Sequence, residues 1–359
     1  MHKLRHLLTP LDLSVPELDR LLSLAGEIAS DPAAWQSACA GKKLATLFYE
    51  PSTRTRLSFE AAMLNLGGSV LGFSSAGSSS VSKGETVADT IRIVSCYADI
   101  CAMRHPLEGA PWVASRFSRI PVVNAGDGGH QHPTQTLADL LTILRRLGRL
   151  DHLTVGFCGD LKYGRTVHSL IAALSRYEGN RFVCISPEEL RLPATQRAAA
   201  GDAVVETADL EAVLPQLDLL YMTRIQQERF TDPAEYQRLR GSYILTRKKL
   251  SAAKETMPVL HPLPRVDEID PDVDDDPRAA YFEQAQNGVY ARMALILTLL
   301  GLAPDPLDAK EEKEPLSLPG LHCGDPRCIT GSAERPVPLF VRAADGSLRC
   351  WYCGRPVTE

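Results

Sequence analysis

The chain has 359 residues, 44% hydrophobic and 23% charged, with a formal net charge of −5. That length allows two core-sized domains and a small appendage, and the mild acidity argues against a nucleic-acid surface or a polybasic membrane patch. The apolar stretch Met293 to Leu302 is too short to span a bilayer, and Met1 to Thr9 lacks the apolar core of a signal peptide, so the cytoplasm is the expected compartment.

Ser14 with Glu17 three positions on reads as a capping box, and the apolar period of Leu18, Leu21, Leu22 and Ala25 predicts a first helix. There follow a strand at Leu44 to Tyr49, a helix at Thr55 to Leu66, a strand at Ser69 to Phe73 and a Ser/Gly-rich loop at Ser74 to Ser82. A helix at Glu85 to Tyr97, a strand at Asp99 to Met103, a helix at Pro111 to Phe117, a strand at Pro121 to Asn124 and a helix at Pro133 to Leu147 come next. The pattern then restarts. Leu153 to Cys158 predicts a strand, Arg165 to Arg176 a helix and Arg181 to Ile185 a strand. Further strands are expected at Ala203 to Glu206, Leu217 to Met222 and Pro258 to Leu260, and a long helix at Tyr281 to Leu300. Strands alternating with helices imply mostly parallel sheets covered on both faces. Gly148 to Asp151 is the natural boundary, which gives domains at 1–148 and 149–280, with the helix 281–302 packing back on the first. Prolines and the charged run Lys310 to Glu314 make 303–320 a linker to a last segment, 321–359.

The motifs that carry chemistry sit at predicted strand ends. Ser52-Thr53-Arg54-Thr55-Arg56 lies where a strand gives way to a helix, so helix N–H groups, hydroxyls and a forked guanidinium can meet an anion; a capped helix with surface arginines is the equal alternative on this stretch alone. Met103-Arg104-His105-Pro106 and the glycine-rich turn Gly126 to Gln135, with His130 and His132 at its lip, end two further strands. Asp160 to Arg165, Met222 to Arg229 and His261-Pro262-Leu263-Pro264-Arg265 repeat the arrangement in the second half. Gly156 to Asp160 lacks the G-x-G-x-x-G spacing, which rules out nicotinamide binding. Several arginines and few free carboxylates at strand ends describe a cleft between two α/β domains that takes an anionic substrate.

Of the nine cysteines, Cys39, Cys96, Cys101, Cys158 and Cys184 are scattered and read as buried free thiols. Cys323-x₄-Cys328, 21 residues, then Cys350-x₂-Cys353 is a four-thiolate metal pattern, and zinc suits it. All four positions would be cysteine, so the metal would be structural, and a segment of this size should fold only with it.

As a set, Ser-Thr-Arg-Thr-Arg, Ser-x-x-Lys-Gly-Glu-Thr, Met-Arg-His-Pro, His-Pro-Thr-Gln, Lys-Tyr-Gly-Arg-Thr-Val-His-Ser-Leu, Met-Thr-Arg-x-Gln-x-Glu-Arg and His-Pro-Leu-Pro-Arg resemble the transcarbamoylase family, from about Arg5 to Leu302, and within it the aspartate-specific catalytic chains. The resemblance implies two doubly wound parallel-sheet α/β domains plus a small zinc-bound β domain. It implies that Ser52, Thr53, Arg54 and Thr55 hold the phosphate of carbamoyl phosphate. Arg104, His132 and Thr55 would surround its carbonyl oxygen, and Gln135 and the Leu263 carbonyl, ahead of a cis Leu263–Pro264 bond, its amino group. Arg165 and Arg224, with Gln226 nearby, would bind the carboxylates of L-aspartate. Lys83 and a serine of the Ser78–Ser80 stretch, with Ser79 and Ser80 not told apart, would enter a neighbour's site in a homotrimer. Glu50, Arg165 and Arg229 are expected partners in a closed form. The last segment, with Ile329-Thr330, the Glu334 region and Arg349 to Cys353, is similar to the zinc domain of the family's regulatory chains, without their nucleotide-binding part. Three placements stay open for it: on its own subunit, between neighbours, or joining two trimers. The competing readings are a carbamoyltransferase for another amine such as ornithine, and a non-catalytic assembly protein on the same fold.

Overall fold

The computed structural model describes residues 4–78, 80–227, 230, 232–308, 314–343 and 346–357. These residues divide into two compact units: unit 1 runs up to Thr134 and resumes at Arg292, and unit 2 is Gln135–Ala291.

Unit 1 opens with α1 (Val15–Ser30), whose capping box is formed as expected: Ser14 Oγ accepts from Glu17 N at 3.3 Å and Glu17 Oε2 accepts from Ser14 N at 2.8 Å. Then come β1 (Lys43–Phe48), α2 (Thr53–Asn65), β2 (Ser69–Phe73), α3 (Val87–Val94), β3 (Ile100–His105), α4 (Ala110–Phe117) and β4 (Val122–Asp127), and α5 (Pro133–Leu147) leads out of it. The four strands are parallel in the order β2-β1-β3-β4. β3 and β4 are buried along their whole length, as strands covered on both faces must be.

Unit 2 holds β5 (Thr154–Cys158), α6 (Arg165–Leu174), β6 (Arg181–Ile185), α7 (Ala194–Ala200), β7 (Val204–Thr207), α8 (Leu210–Val213), β8 (Leu219–Met222), α9 (Pro233–Leu239), α10 (Arg247–Leu250), β9 (Val259–Leu260) and most of α11 (Tyr281–Leu299). Its sheet is parallel, ordered β7-β6-β5-β8-β9. The helices α7 to α10 are additions to the predicted order. α7 buries no residue and α9 only Leu239, so neither leaves an apolar period to read. Among the described residues, no helix is long and apolar enough to cross a membrane.

Cys39, Cys101, Cys158 and Cys184 are buried free thiols, but Cys96 is exposed. It lies just beyond the end of α3, where the chain turns out to solvent and its Sγ meets the Arg92 carbonyl at 3.5 Å.

The C-terminal module has a two-stranded antiparallel sheet, β10 (Phe340–Arg342) with β11 (Leu348–Cys350). Leu316 exchanges both backbone hydrogen bonds with Phe340, at 2.7 and 2.9 Å. The module is too small to bury a core of its own, and it shares one: Ile329, Leu339 and Tyr352 pack in a single cluster with Val87, Ile91, Trp112 and Val113 of unit 1. The contact is anchored at Glu108, which is fully buried. Its N–H donates to the Arg327 carbonyl and its carbonyl accepts from Ile329 N, both at 2.9 Å, while its carboxylate pairs with Arg355 at 2.8 Å. Arg355 also pairs with Asp325. Glu334 Oε2 accepts from Val87 N at 2.9 Å, in the first turn of α3, where an anion is favoured. The module therefore sits on its own chain.

Gly109 lies directly under it. Its φ is +87°, and a Cβ there would stand 2.5 Å from Tyr352 Cβ and 2.8 Å from the Tyr352 carbonyl oxygen. Gly109→Ala should therefore destabilise the docked module by about 2–4 kcal/mol, strain and overlap together, read as a separate early loss of Trp351 fluorescence change in a denaturant titration.

Candidate active site and four-cysteine centre

In unit 1, the chain leaves β1 toward β2 and leaves β3 toward β4, on opposite sides. The carboxyl ends of β1 and β3 are neighbours, with Phe48 in register with Arg104, and form a topological switch point, where open α/β sheets receive ligands. After β1 comes the amino end of α2. Ser52 is at its N-cap and makes no side-chain cap bond, Thr53 and Arg54 are exposed, and Thr55 is 9% exposed. First-turn N–H groups without intrahelical acceptors, hydroxyls and a guanidinium thus gather at one point. Arg56 faces away into an i,i+4 pair with Glu60 at 2.7 Å.

Arg104, the penultimate residue of β3, is nearly buried. Nη2 binds Glu50 Oε1 at 2.8 Å, and Nε has no hydrogen-bond partner among the described residues. Glu50 is thus the resident partner of Arg104. His132, 5% exposed, closes the turn after β4. Asp127, in that turn, accepts from Asn124 Nδ2 at 2.9 Å, Gln131 N at 3.0 Å and Gly109 N at 2.8 Å, and lies 2.9 Å from His130 Nδ1. It shapes the turn that carries His132, a role the motif alone did not reveal. Lys83 ends the 3₁₀ turn Ser80–Lys83, exposed and with no partner among the described residues. Ser79, Glu228 and Arg229 lie outside the described residues.

Unit 2 repeats the design at β5 and β8, with Cys158 in register with Met222. Asp160, fully buried, ties the two following loops together: its N–H donates to Thr223 Oγ1 at 3.0 Å and its Oδ1 accepts from Tyr163 N at 2.9 Å. Arg165 opens α6 half-buried, and Arg224 and Gln226 are half-buried after β8. Gln226 Nε2 donates to the Tyr163 carbonyl at 3.2 Å, which turns its Oε1 outward as an acceptor. Beyond β9, the Leu263–Pro264 bond is cis, as the family resemblance implied, and Leu263 has a φ of +54°. Leu263 N donates to His261 Nδ1 at 2.7 Å, and His261 Nε2 lies 2.6 Å from Glu268 Oε1. Gln135 opens unit 2 near the start of α5, its Nε2 bound to Asp139 at 2.7 Å. Arg265 is held in a structural pair with Asp274.

The sulfurs of Cys323, Cys328, Cys350 and Cys353 all lie within 4.8 Å of one another. Cys323 and Cys353 are 3.6 Å apart, Cys328 and Cys350 3.8 Å. A tetrahedral ion with metal–sulfur distances of about 2.3 Å has edges of about 3.8 Å, so the donor set fits one, whereas a disulfide would need about 2.0 Å. Hydrogen bonds from Cys350 and Cys353, and from Thr330 Oγ1 at 3.2 Å, pull the Cys328 thiol far down toward the thiolate that a metal requires, while Cys350, donating to Cys328, is pushed up to about 12.

Two switch points with arginines at their strand ends, Arg104 at one and Arg165 with Arg224 at the other, suit an enzyme that takes anionic substrates. The model of the aspartate/ornithine carbamoyltransferase carbamoyl-P binding domain matches residues 5–145, and that of the Asp/Orn binding domain residues 151–299. The chain belongs to this family. It is 66% identical over 305 residues to an aspartate carbamoyltransferase catalytic subunit from Lachnoclostridium phytofermentans, covering 84% of this chain and 99% of that one. The catalytic subunit of aspartate transcarbamoylase from M. jannaschii superposes with a TM-score of 0.78 at 48% identity, over 83% of this chain and 98% of that one. The aspartate transcarbamoylase from Trypanosoma cruzi in complex with carbamoyl phosphate and aspartate does so with a TM-score of 0.77 at 38% identity, over 82% and 96%. The family matches end at residue 299, so the cysteine module lies beyond them.

Burial pushes the His105 imidazole down to about 4, with Asp127 and Glu50 only partly opposing it, and its Nδ1 accepts from Leu107 N at 3.0 Å. In the unfolded chain the same ring returns to its ordinary 6.5 and binds its proton first. Stability from this group is therefore complete at neutral pH and is lost as pH falls from 6.5 toward 4. Between pH 7 and 5, wild type should lose roughly 2 kcal/mol more than His105→Gln, measured by denaturant midpoints at the two pH values.

Proposed function

We propose that the chain is an aspartate carbamoyltransferase that converts carbamoyl phosphate and L-aspartate into N-carbamoyl-L-aspartate and phosphate, the committed early step of de novo pyrimidine biosynthesis, in the cytoplasm. The observation that carries this reading is the placing of Ser52 to Thr55 and Arg104 at one switch point and of Arg165 and Arg224 at the other, in a chain two-thirds identical to a catalytic subunit of that name. Residues 1–148 are the carbamoyl-phosphate domain, with 281–302 returning to it, and 149–280 the aspartate domain. Ser52, Thr53, Arg54 and Thr55 take the phosphate. Arg104, Thr55 and His132 face the carbonyl oxygen, and Gln135 and the Leu263 carbonyl, held by Pro264, the amino group. Arg165, Arg224 and Gln226 take aspartate.

The amine nitrogen attacks the carbamoyl carbon and forms the new C–N bond. Charge moves to the carbonyl oxygen, where Arg104 and His132 stabilise it; the C–O bond to phosphate then breaks, and phosphate leaves with the amine proton. Positioning and charge stabilisation supply the acceleration, with no covalent intermediate. Dicarboxylate recognition favours aspartate over ornithine, because Arg224 and Lys83 would repel a second ammonium group. Lys83, exposed and without a partner among the described residues, suits insertion into a neighbour's site in a homotrimer.

The cysteine module is a regulatory-chain-type zinc domain fused to the catalytic chain, joined through the 303–320 linker and occupying 321–359. Cys323, Cys328, Cys350 and Cys353 would hold one zinc ion, whose role is to fold and dock the module. The linker is too short for a nucleotide-binding domain, so CTP and ATP should leave the aspartate saturation curve unchanged except by competing with carbamoyl phosphate.

Purified protein should carbamoylate aspartate and leave ornithine essentially untouched. His132→Ala should lower kcat about 10²-fold while carbamoyl phosphate still binds; full turnover in that variant removes the role given to His132. Metal analysis should find one zinc per chain, absent from Cys350→Ser, and chelator should unfold the module while the two sheets persist by circular dichroism.

A further inference from the structure

We propose that Asp139 is the positioning residue through which this enzyme reads the amino group of its acyl donor. The inference rests on the assignment of Gln135 and the Leu263 carbonyl to that amino group, and it adds what fixes both of them as acceptors.

Asp139 lies on α5 and is fully buried. Its Oδ1 accepts from Gln135 Nε2 at 2.7 Å and from Gln284 Nε2 at 2.6 Å, and its Oδ2 accepts from the Tyr221 hydroxyl at 3.0 Å. One carboxylate oxygen receives both amide nitrogens, so it holds each amide by its NH₂ side. In Gln135 this turns Oε1 away from Asp139 and leaves it as an acceptor. In Gln284, itself 1% exposed, it turns Oε1 toward the backbone, where it accepts from His261 N at 2.9 Å. His261 then takes Leu263 N on Nδ1 at 2.7 Å, which keeps Leu263 at its left-handed φ of +54°. The Leu263 carbonyl accepts no hydrogen bond from the described residues. One carboxylate thus orients one acceptor directly and the other through Gln284 and His261.

A glutamine amide turned by 180° has almost the same shape with donor and acceptor exchanged. Without Asp139, Gln135 could present NH₂ to the NH₂ of the donor, and the preference for an N–H-bearing acyl group would weaken. Acetyl phosphate tests this directly, because it places a methyl group where carbamoyl phosphate has its amino group and is otherwise alike. A purely structural Asp139 would affect both donors, and inorganic phosphate, equally.

The experiment compares wild type, Asp139→Asn and Asp139→Leu in three constants: KM for carbamoyl phosphate, Ki for acetyl phosphate and Ki for inorganic phosphate. Asn can keep an oxygen toward both amides and donate to the Tyr221 oxygen, so it should preserve the ratio of acetyl phosphate Ki to carbamoyl phosphate KM. Leu offers no acceptor, and the ratio should fall at least about tenfold with phosphate Ki within twofold of wild type. An unchanged ratio in Asp139→Leu, or parallel weakening of all three ligands, overturns the proposal. If Asp139→Leu does not fold, Gln284→Met decides: it keeps the Asp139–Gln135 bond and breaks the link to His261, so the ratio should fall about threefold, and an unchanged ratio overturns it. Failure of wild type to carbamoylate aspartate would instead refute the proposed function, and the binding ratio would still be measurable by competition.

Discussion

Parallel strands deliver all their outgoing loops to one edge of a sheet, and where two neighbouring strands send their chains to opposite sides, the space beyond their carboxyl ends stays open. This constraint underlies both units. In unit 1 the open place lies between β1 and β3, and it is why Arg104 and the amino end of α2, about fifty residues apart in the chain, converge. In unit 2 it lies between β5 and β8, and Arg165 and Arg224 converge there for the same reason. The apolar strands are the fixed part. The arginines sit near the strand ends, while polar side chains buried within strands, such as Thr46 and Asn124, are hydrogen-bonded to Glu60 and to the Leu8 carbonyl.

Buried acids hold the loops and amides around those strand-end groups. Asp127 shapes the turn of His132, Asp160 links the two loops of unit 2, and Asp139 gathers Gln135, Tyr221 and Gln284. Each is fully buried and each is surrounded by donors, the condition under which a buried carboxylate is tolerated. The arginines supply charge; the acids decide where amides and loops point.

The motif residues were legible in the sequence because they are contiguous and chemically distinctive, and several elements, among them β2, β6 and α5, have the predicted bounds. The supporting network was not. Gln284 meets Asp139 from 145 residues away, and no local pattern carries that pairing. α7 and α9 were missed because almost nothing on them is buried, and Cys96 was read as buried from an apolar neighbourhood that ends one turn too soon. The four-cysteine spacing foretold a metal-ligand cluster. It could not foretell where the module sits, which depends on Glu108, Gly109 and Glu334 meeting it across the fold.

The central claim is that one chain reads the phosphate of carbamoyl phosphate with Arg54 and the carboxylates of aspartate with Arg224. Calorimetric titration with N-(phosphonacetyl)-L-aspartic acid, which joins both halves in one molecule, tests it most directly. The account predicts one molecule bound per chain, at least about 10²-fold tighter than either substrate, with Arg54→Ala and Arg224→Ala each removing most of that gain. Binding no tighter than inorganic phosphate, or an affinity indifferent to Arg224→Ala, would contradict it.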